Sequence, residues 1–546
     1  MRNQRSITKF TAAFLLVFLI FTQFAPIEAA AASFPAGRDI GLQYQAGSPQ
    51  YQYDDQAELP QPENIPSRFI QKDGIYVNPE AEETNRATLM ITGDLMCQYR
   101  QQLAAFQSDG TDYLTYEEVQ EIIEQAGNNN SSAGNKAVNN KSAEKTETTA
   151  ASPAAPSSYG LIPQPTGTWN FSASFKYVKD IFSKADLVIG NLETTVTPSS
   201  PLAMQLHTLE GRPYLNAPSA FLEALKYAGF DLLTMANNHN CDAGVRGIVE
   251  TLDQTDRYGF LHTGLFSDKE DPRYLLVDVN GIKIGIVSYA VYYNKKEYHL
   301  TESGQDIMLN KYSEKKAKRD IRAAKKAGAE YVLAFLHCGT ENATLLNSRQ
   351  TRHTRTLANA GADYIIGSHP HVLQHQATLK TKDDRYVPIL YSMGNFLSHM
   401  TRDGNKDTMI LRLDLKKTLA KEKVKVKVPS SSKNTSKKKT ATKTITRTKV
   451  SLTSQTYYPC RILDTLEETP YVLYPMLADS PDAVLKPSQR EELFAAYLRI
   501  ANLYRDSNLK LHPSAAAPLL PEPSPPNLED SNTGSDMGAD SGSGAA

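Results

Sequence analysis

Apolar runs of strand length recur along the chain, and each ends in a polar cluster. Residues 87–91 lead into Gly93-Asp94, 187–189 into Asn191-Leu192-Glu193, and 230–235 into Asn237-Asn238-His239. Downstream, 331–336 run into His337, 364–366 into Gly367-Ser368-His369-Pro370-His371, and 389–393 into Gly394-Asn395. Such near-continuous runs bounded by glycine predict strands buried on both faces. Between them lie helical spacings: Phe171, Phe175, Val178 and Phe182; then Phe221, Leu222, Leu225 and Ala228; then Val245, Ile248, Val249 and Leu252. Alternating strand and helix predicts an α/β fold. Asn280-Gly281 between the apolar stretches 274–279 and 282–287 predicts a hairpin, so part of the sheet is antiparallel. Leu493, Tyr497, Ile500 and Tyr504 share one face of a helix within 490–509, which closes the domain or contacts a partner.

Three stretches break this rhythm. Residues 107–165, 417–455 and 513–546 are dominated by small and polar residues without apolar periodicity, and are expected to be disordered. The first is expected as an exposed loop near the site, the second as a Lys/Thr/Ser-rich insertion, the third as an acidic Pro/Ser/Gly tail. They divide the chain into a spacer over 33–83, one large domain over 84–416 and an extension over 456–512 that packs on it. At the start, Arg2, Arg5 and Lys9 precede an apolar run over 10–24 and four alanines at 29–32. That order predicts a signal peptide or N-terminal anchor over 1–32, hence an exported, extracellular or envelope protein.

Charge sharpens the division. The 546 residues sum to −1, yet 416–449 alone carry +12, leaving −13 for the rest. An acidic body with one cationic tract argues against a nucleic-acid-binding domain and for contact between the tract and an anionic polymer or membrane surface. Cys97, Cys241, Cys338 and Cys460 form no CxxC pair and make no disulfide scaffold; they are expected as small buried packing residues.

In an open α/β sheet, ligands bind outside the carboxyl ends of the strands. Asp94, Asn191, Glu193, Asn238, His239, His337, His369 and His371 all follow apolar runs in that way. Carboxylate, carboxamide and imidazole together suit a divalent transition metal such as Mn, Zn or Fe, as one ion or two. In Gly367 to His371, two histidines flank Pro370, which stiffens the turn.

These motifs, with His337-Cys338-Gly339-Thr340-Glu341 and 391–396, resemble the CapA family of bacterial capsule or poly-γ-glutamate synthesis proteins over roughly residues 85 to 415. The resemblance implies a calcineurin-like metallophosphoesterase fold, a four-layer α/β/β/α sandwich. It implies metal ligands at Asp94, Asn238, His337, His369 and His371, with His239 and Asn238 as the catalytic Asn-His pair. Met96 stands where that pattern carries a further histidine. The bridging aspartate of the pattern falls near Asn191 or Glu193. Cys338 replaces a tryptophan, and Glu341, Asn237 and Asn395 are further pocket candidates.

Three functions follow. The first is an envelope protein in capsule or poly-γ-glutamate synthesis or export, acting with membrane-embedded synthesis proteins, its metal site hydrolysing a phosphoester by metal-activated water. The second is a secreted general metallophosphoesterase. The third is a non-catalytic subunit that binds the polymer.

Overall fold

The computed structural model describes residues 64–133, 162–209, 211–428, 439–480 and 484–518. The expected leader over 1–32 and most of the acidic tail lie outside them. No helix among the described residues is long and apolar enough to cross a membrane.

Two mixed sheets carry the fold. The first runs in the order Ile70–Lys72, Ile75–Val77, Leu275–Val279, Ile282–Ala290, Tyr331–His337, Tyr364–Ser368, Tyr386–Leu390, Gln376–Lys380. The second runs Leu261–Thr263, Leu232–Thr234, Leu187–Leu192, Arg86–Leu95, Asp407–Val428, Lys439–Leu466, Thr469–Pro475. Parallel pairing dominates where helices connect the strands, and the Asn280-Gly281 hairpin is antiparallel as its turn residues dictate.

Side-chain alternation explains the layering. Leu89, Ile91, Ile189 and Leu411 of the second sheet meet Ile284, Leu333 and Ile366 of the first in one buried core. Met90, Val188 and Leu233 point the other way, onto the helices Ala220–Ala228 and Gly244–Arg257. On the far side, Val287, Val332 and Ile365 face the helices Glu314–Lys326 and Ser348–Ala360. The result is the expected four-layer α/β/β/α sandwich, with period-2 strands buried on both faces.

Four expectations need correction. The spacer contributes strands, because Ile75–Val77 pairs in parallel with Leu275–Val279 and Phe69 is buried. The insertion over 107–165 contains the helix Tyr116–Ala133, whose Val119 is buried with Ile162, Leu206 and Tyr214. The tract 417–455 is not disordered where it is described: 417–428 and 439–455 pair as one antiparallel ribbon. Alternating Lys/Val against alternating Thr is a strand pattern, which polar composition had concealed. Finally, the aromatic series Phe171 to Phe182 forms only a 3-10 turn, Ser172–Phe175, and the short helix Lys179–Phe182. Two serines and bulky rings are poor helix formers, and the rings pack tertiary contacts instead, Phe175 and Phe182 against Phe230.

Helix Pro487–Tyr504 buries Leu493, Ile500 and Tyr504 in the inter-sheet core. The fully buried Arg461 ties it to the body through Glu492 and Asp407.

Candidate metal centre

Strand ends from both sheets converge on one buried polar cluster. Relative to Ile189 and Asn191, the strand Arg86–Leu95 has one extra residue between Ile91 and Asp94, a bulge that re-aims the Asp94 carboxylate. The same turn packs tightly: a Cβ on Gly93 would lie 2.0 Å from the Gly394 carbonyl oxygen. Across the site His369 (φ 93°) and His371 (φ 58°) hold left-handed backbone, a conformation that costs non-glycine residues roughly 1–3 kcal/mol each. Pro370 between them seats so closely on the His337 loop that a Cβ on Gly339 would meet its Cγ at 2.5 Å.

Three overlapping groups have ligand atoms within 4.8 Å of one another: Glu193 with His337 and His369, Asp94 with Glu193 and His371, and Glu341 with His369 and His371. Asp94 and Glu193 are fully buried, and His337, His369 and His371 are nearly so. Neither Glu193 oxygen has a hydrogen-bond partner among the described residues. His337 Nε2 and His371 Nε2 stand 3.5 and 3.7 Å from its Oε1. Burial, and then the facing Asp94 carboxyl, push Glu193 well above the usual carboxylate range.

The imidazoles are crowded in the same way. His369 Nδ1 lies 3.2 Å from His337 Nε2. Burial and the neighbouring imidazoles hold both well below their ordinary values, so both rings are neutral and offer lone pairs. His371 differs: burial would lower it, but hydrogen bonding to and the charge of Asp94 outweigh this and raise it. A buried carboxylate without partners, facing neutral imidazoles and a second carboxylate, has the donor set of a divalent cation.

Other predicted residues serve as supports. Asn191 Nδ2 donates to Asp94 Oδ1 at 2.7 Å, which turns its amide nitrogen, not its oxygen, toward the carboxylate. Asn238 Oδ1 faces His337 Nε2 at 2.5 Å and His369 Nδ1 at 3.3 Å, so its oxygen points into the cluster. Asn395 Oδ1 accepts from His371 Nδ1 at 2.9 Å. Asn237 braces its own loop, donating to the Leu192 carbonyl and accepting from the His239 backbone N–H. Glu341 is exposed at the rim. Met96 is buried and brings no ligand atom of the imidazole type, and the four cysteines are free and buried, with the Cys338 thiol pushed up to about 12 by burial.

Sequence reasoning missed Asp242, Lys296 and Asn405, and named Ser368 only as part of its motif. Asp242 Oδ2 accepts from His239 Nδ1 at 2.7 Å, and Lys296 Nζ donates to Asp242 Oδ1 at 2.9 Å, all fully or nearly buried. Burial alone would raise Asp242, but the charges and hydrogen bonds of His239 and Lys296 bring it below its ordinary value. Ser368 Oγ contacts His337 Nδ1 at 2.8 Å, and Asn405 Nδ2 donates to the His371 carbonyl at 2.9 Å. Asp242 carried a local signal, three residues after His239, and Ser368 carried one as the neighbour of His369, whereas Lys296 and Asn405 carried none.

The sequence profile described as bacterial capsule synthesis protein PGA_cap matches residues 88–400. The chain belongs to that family. Among its relatives is the "Capsule biosynthesis protein CapA" of Bacillus anthracis, 26% identical over 249 residues, covering 44% of this chain and 57% of the relative. The "PGA biosynthesis protein CapA" of Bacillus subtilis strain 168 is 28% identical over 251 residues, covering 44% of this chain and 61% of that protein. The chain thus spans less than two thirds of the length of these PGA_cap-type relatives. A faint structural likeness extends to the calcineurin-like phosphoesterase YfkN of Bacillus subtilis, with TM-score 0.28 and 12% identity over 67% of this chain and 90% of that one. Asp94, Glu193, Asn238, His337, Glu341, His369 and His371 all fall within the matched segment, and Asn405 lies just beyond it.

Proposed function

We propose that this PGA_cap-family chain acts in the cell envelope in the synthesis or export of an anionic capsule polymer such as poly-γ-glutamate, beside membrane-embedded synthesis proteins, and hydrolyses a phosphoester at its buried cluster. The observation that carries this is the partnerless Glu193 carboxylate set among His337, His369, His371 and Asp94. These five residues, with Asn238 Oδ1, would hold a divalent transition metal. When bound, such an ion supplies Lewis acidity, lowering the pKa of water and offsetting charge on phosphate oxygens.

The chain's own groups would do the rest. His239 is oriented by Asp242, which keeps the proton on Nδ1 and leaves Nε2 as the second proton-handling atom. Lys296 Nζ, 2.9 Å from Asp242 Oδ1, faces that carboxylate away from solvent. Asn238 bridges the two histidines of the first group and orders them before substrate arrives.

A second reading has one specific support. Met96 and Asn191 stand where the family resemblance leads one to expect a histidine and a bridging aspartate, and Asn191 turns its nitrogen to Asp94. That favours a single ion in a binding or assembly subunit over a two-ion hydrolase. Turnover of a chromogenic phosphodiester and monoester with Mn, Zn or Fe separates the two. Hydrolysis by wild type that falls about a hundredfold in His239→Ala, with metal retained, supports the enzyme. Bound metal without turnover under every condition supports the binding subunit.

A further inference from the structure

Residues 418–428 and 439–449 continue the antiparallel register beyond the sheet, from Thr418↔Lys449 to Val428↔Lys439. The last pairing with the body is Lys416↔Arg86, so from Thr418 outward this ribbon has two strands and no third among the described residues. Its root is fixed: Lys417 Nζ contacts Glu330 at 2.9 Å and the Gly281 carbonyl at 2.8 Å, and Val450 and Leu452 pack on the core. At about 3.4 Å per residue the free part reaches roughly 34 Å.

Both faces of the ribbon are basic: Lys439, Lys443, Arg447 and Lys449 stand in register with Val428, Val424, Ala420 and Thr418 on one face, and four lysines lie on the other. Positions 421, 423, 425 and 427 are all lysine and stand in register with Thr446, Thr444, Thr442 and Thr440. A period of two puts those positions on one face, a cationic site about every 6.8 Å beside a row of threonines. The only acid in the two arms is Glu422. A two-stranded ribbon is marginal in water, and like charges along it repel, so counter-anions laid along the face would stabilise it.

Location narrows the role. The ribbon leaves the sheet at the Arg86 end of the strand whose other end carries Asp94, roughly 25 Å away. It also lies outside the PGA_cap match. A cationic face there cannot feed the buried cluster, but it can hold a long chain while chemistry proceeds elsewhere.

We propose that the Lys/Thr ribbon is a docking surface for a linear polycarboxylate, held by periodic lysine charges and hydroxyl donors and independent of the metal centre. The choice of polymer rests on the capsule reading above; the surface itself rests on register and charge. The test uses the full chain and a variant carrying Lys421→Thr, Lys423→Thr, Lys425→Thr and Lys427→Thr, with poly-γ-glutamate and, separately, phosphatidylglycerol-rich vesicles as probes. Wild type should bind the polymer at low salt and release it at high salt. The variant should bind about tenfold more weakly or worse, with metal content and phosphoester turnover unchanged. Arginine at the same four positions should restore binding, which separates loss of charge from loss of fold. Equal polymer affinity in wild type and threonine variant overturns the proposal, as does binding to vesicles with none to the polymer. Because metal and turnover are read separately, failure of the ribbon proposal is distinct from failure of the proposed hydrolysis.

Discussion

The two ends of the strand Arg86–Leu95 carry opposite chemistry. At one end Asp94, held by Asn191 and facing His371, sits among buried imidazoles beside a Glu193 whose oxygens have no hydrogen-bond partner among the described residues. At the other, Lys416 opens a ribbon on which Leu419 is 76% exposed and no third strand pairs among the described residues. The first region concentrates unfavourable desolvation in a small volume; the second spreads like charge over a long face. Buried polar groups without partners destabilise a fold by several kcal/mol unless a ligand completes them, whereas exposed charges cost little and act at range. On the two readings proposed above, a compact cation would complete the first region and an extended anion would neutralise the second.

That contrast predicts a gradient of effects. The largest belongs to the buried end: His337→Ala should abolish the rise in melting temperature that added Mn or Zn gives wild type, read by differential scanning fluorimetry. Next comes Asp242→Asn, which leaves Lys296 buried beside a neutral partner and His239 without its anchor. Chemical denaturation should show a loss of about 3–5 kcal/mol with bound metal largely retained. Asn395→Ala removes the acceptor that orients His371, and calorimetric titration should show metal affinity falling roughly 10- to 100-fold, with a loss of stability smaller than that of Asp242→Asn. The smallest effect lies at the open end: the four-threonine ribbon variant should unfold within about 0.5 kcal/mol of wild type. A large loss of stability there would erase the distinction between the two ends.

The sequence disclosed the buried end better than the open one. Strands such as Tyr331–His337 and Tyr364–Ser368 announce themselves because both faces are covered, so apolar runs need no alternation. Polar residues at their ends stand out against those runs, and Asp94, Glu193, His337, His369 and His371 were all visible on that account. Supports that reach the cluster from other segments were not: Lys296 lies on a loop with no motif, and Asn405 becomes relevant only when the turn around Asp403–Lys406 folds over His371. The ribbon was hidden for another reason. Its Lys/Val alternation is a strand pattern, but so many lysines and threonines resemble low-complexity linker until their register is known. Among the described side chains of the helix Tyr116–Ala133, Val119 is buried in the small cluster and Ile123 packs against it, too faint a pattern to distinguish the helix from loop.

The central claim is that Glu193 is buried without partners because a metal ion completes it. Calorimetric titration of Mn and Zn into metal-stripped wild type and Glu193→Gln tests this most directly. Wild type should bind at least one ion per chain, and the Gln variant should bind at least about a hundredfold more weakly while remaining folded. Equal affinity and stoichiometry in the two proteins would contradict the assignment.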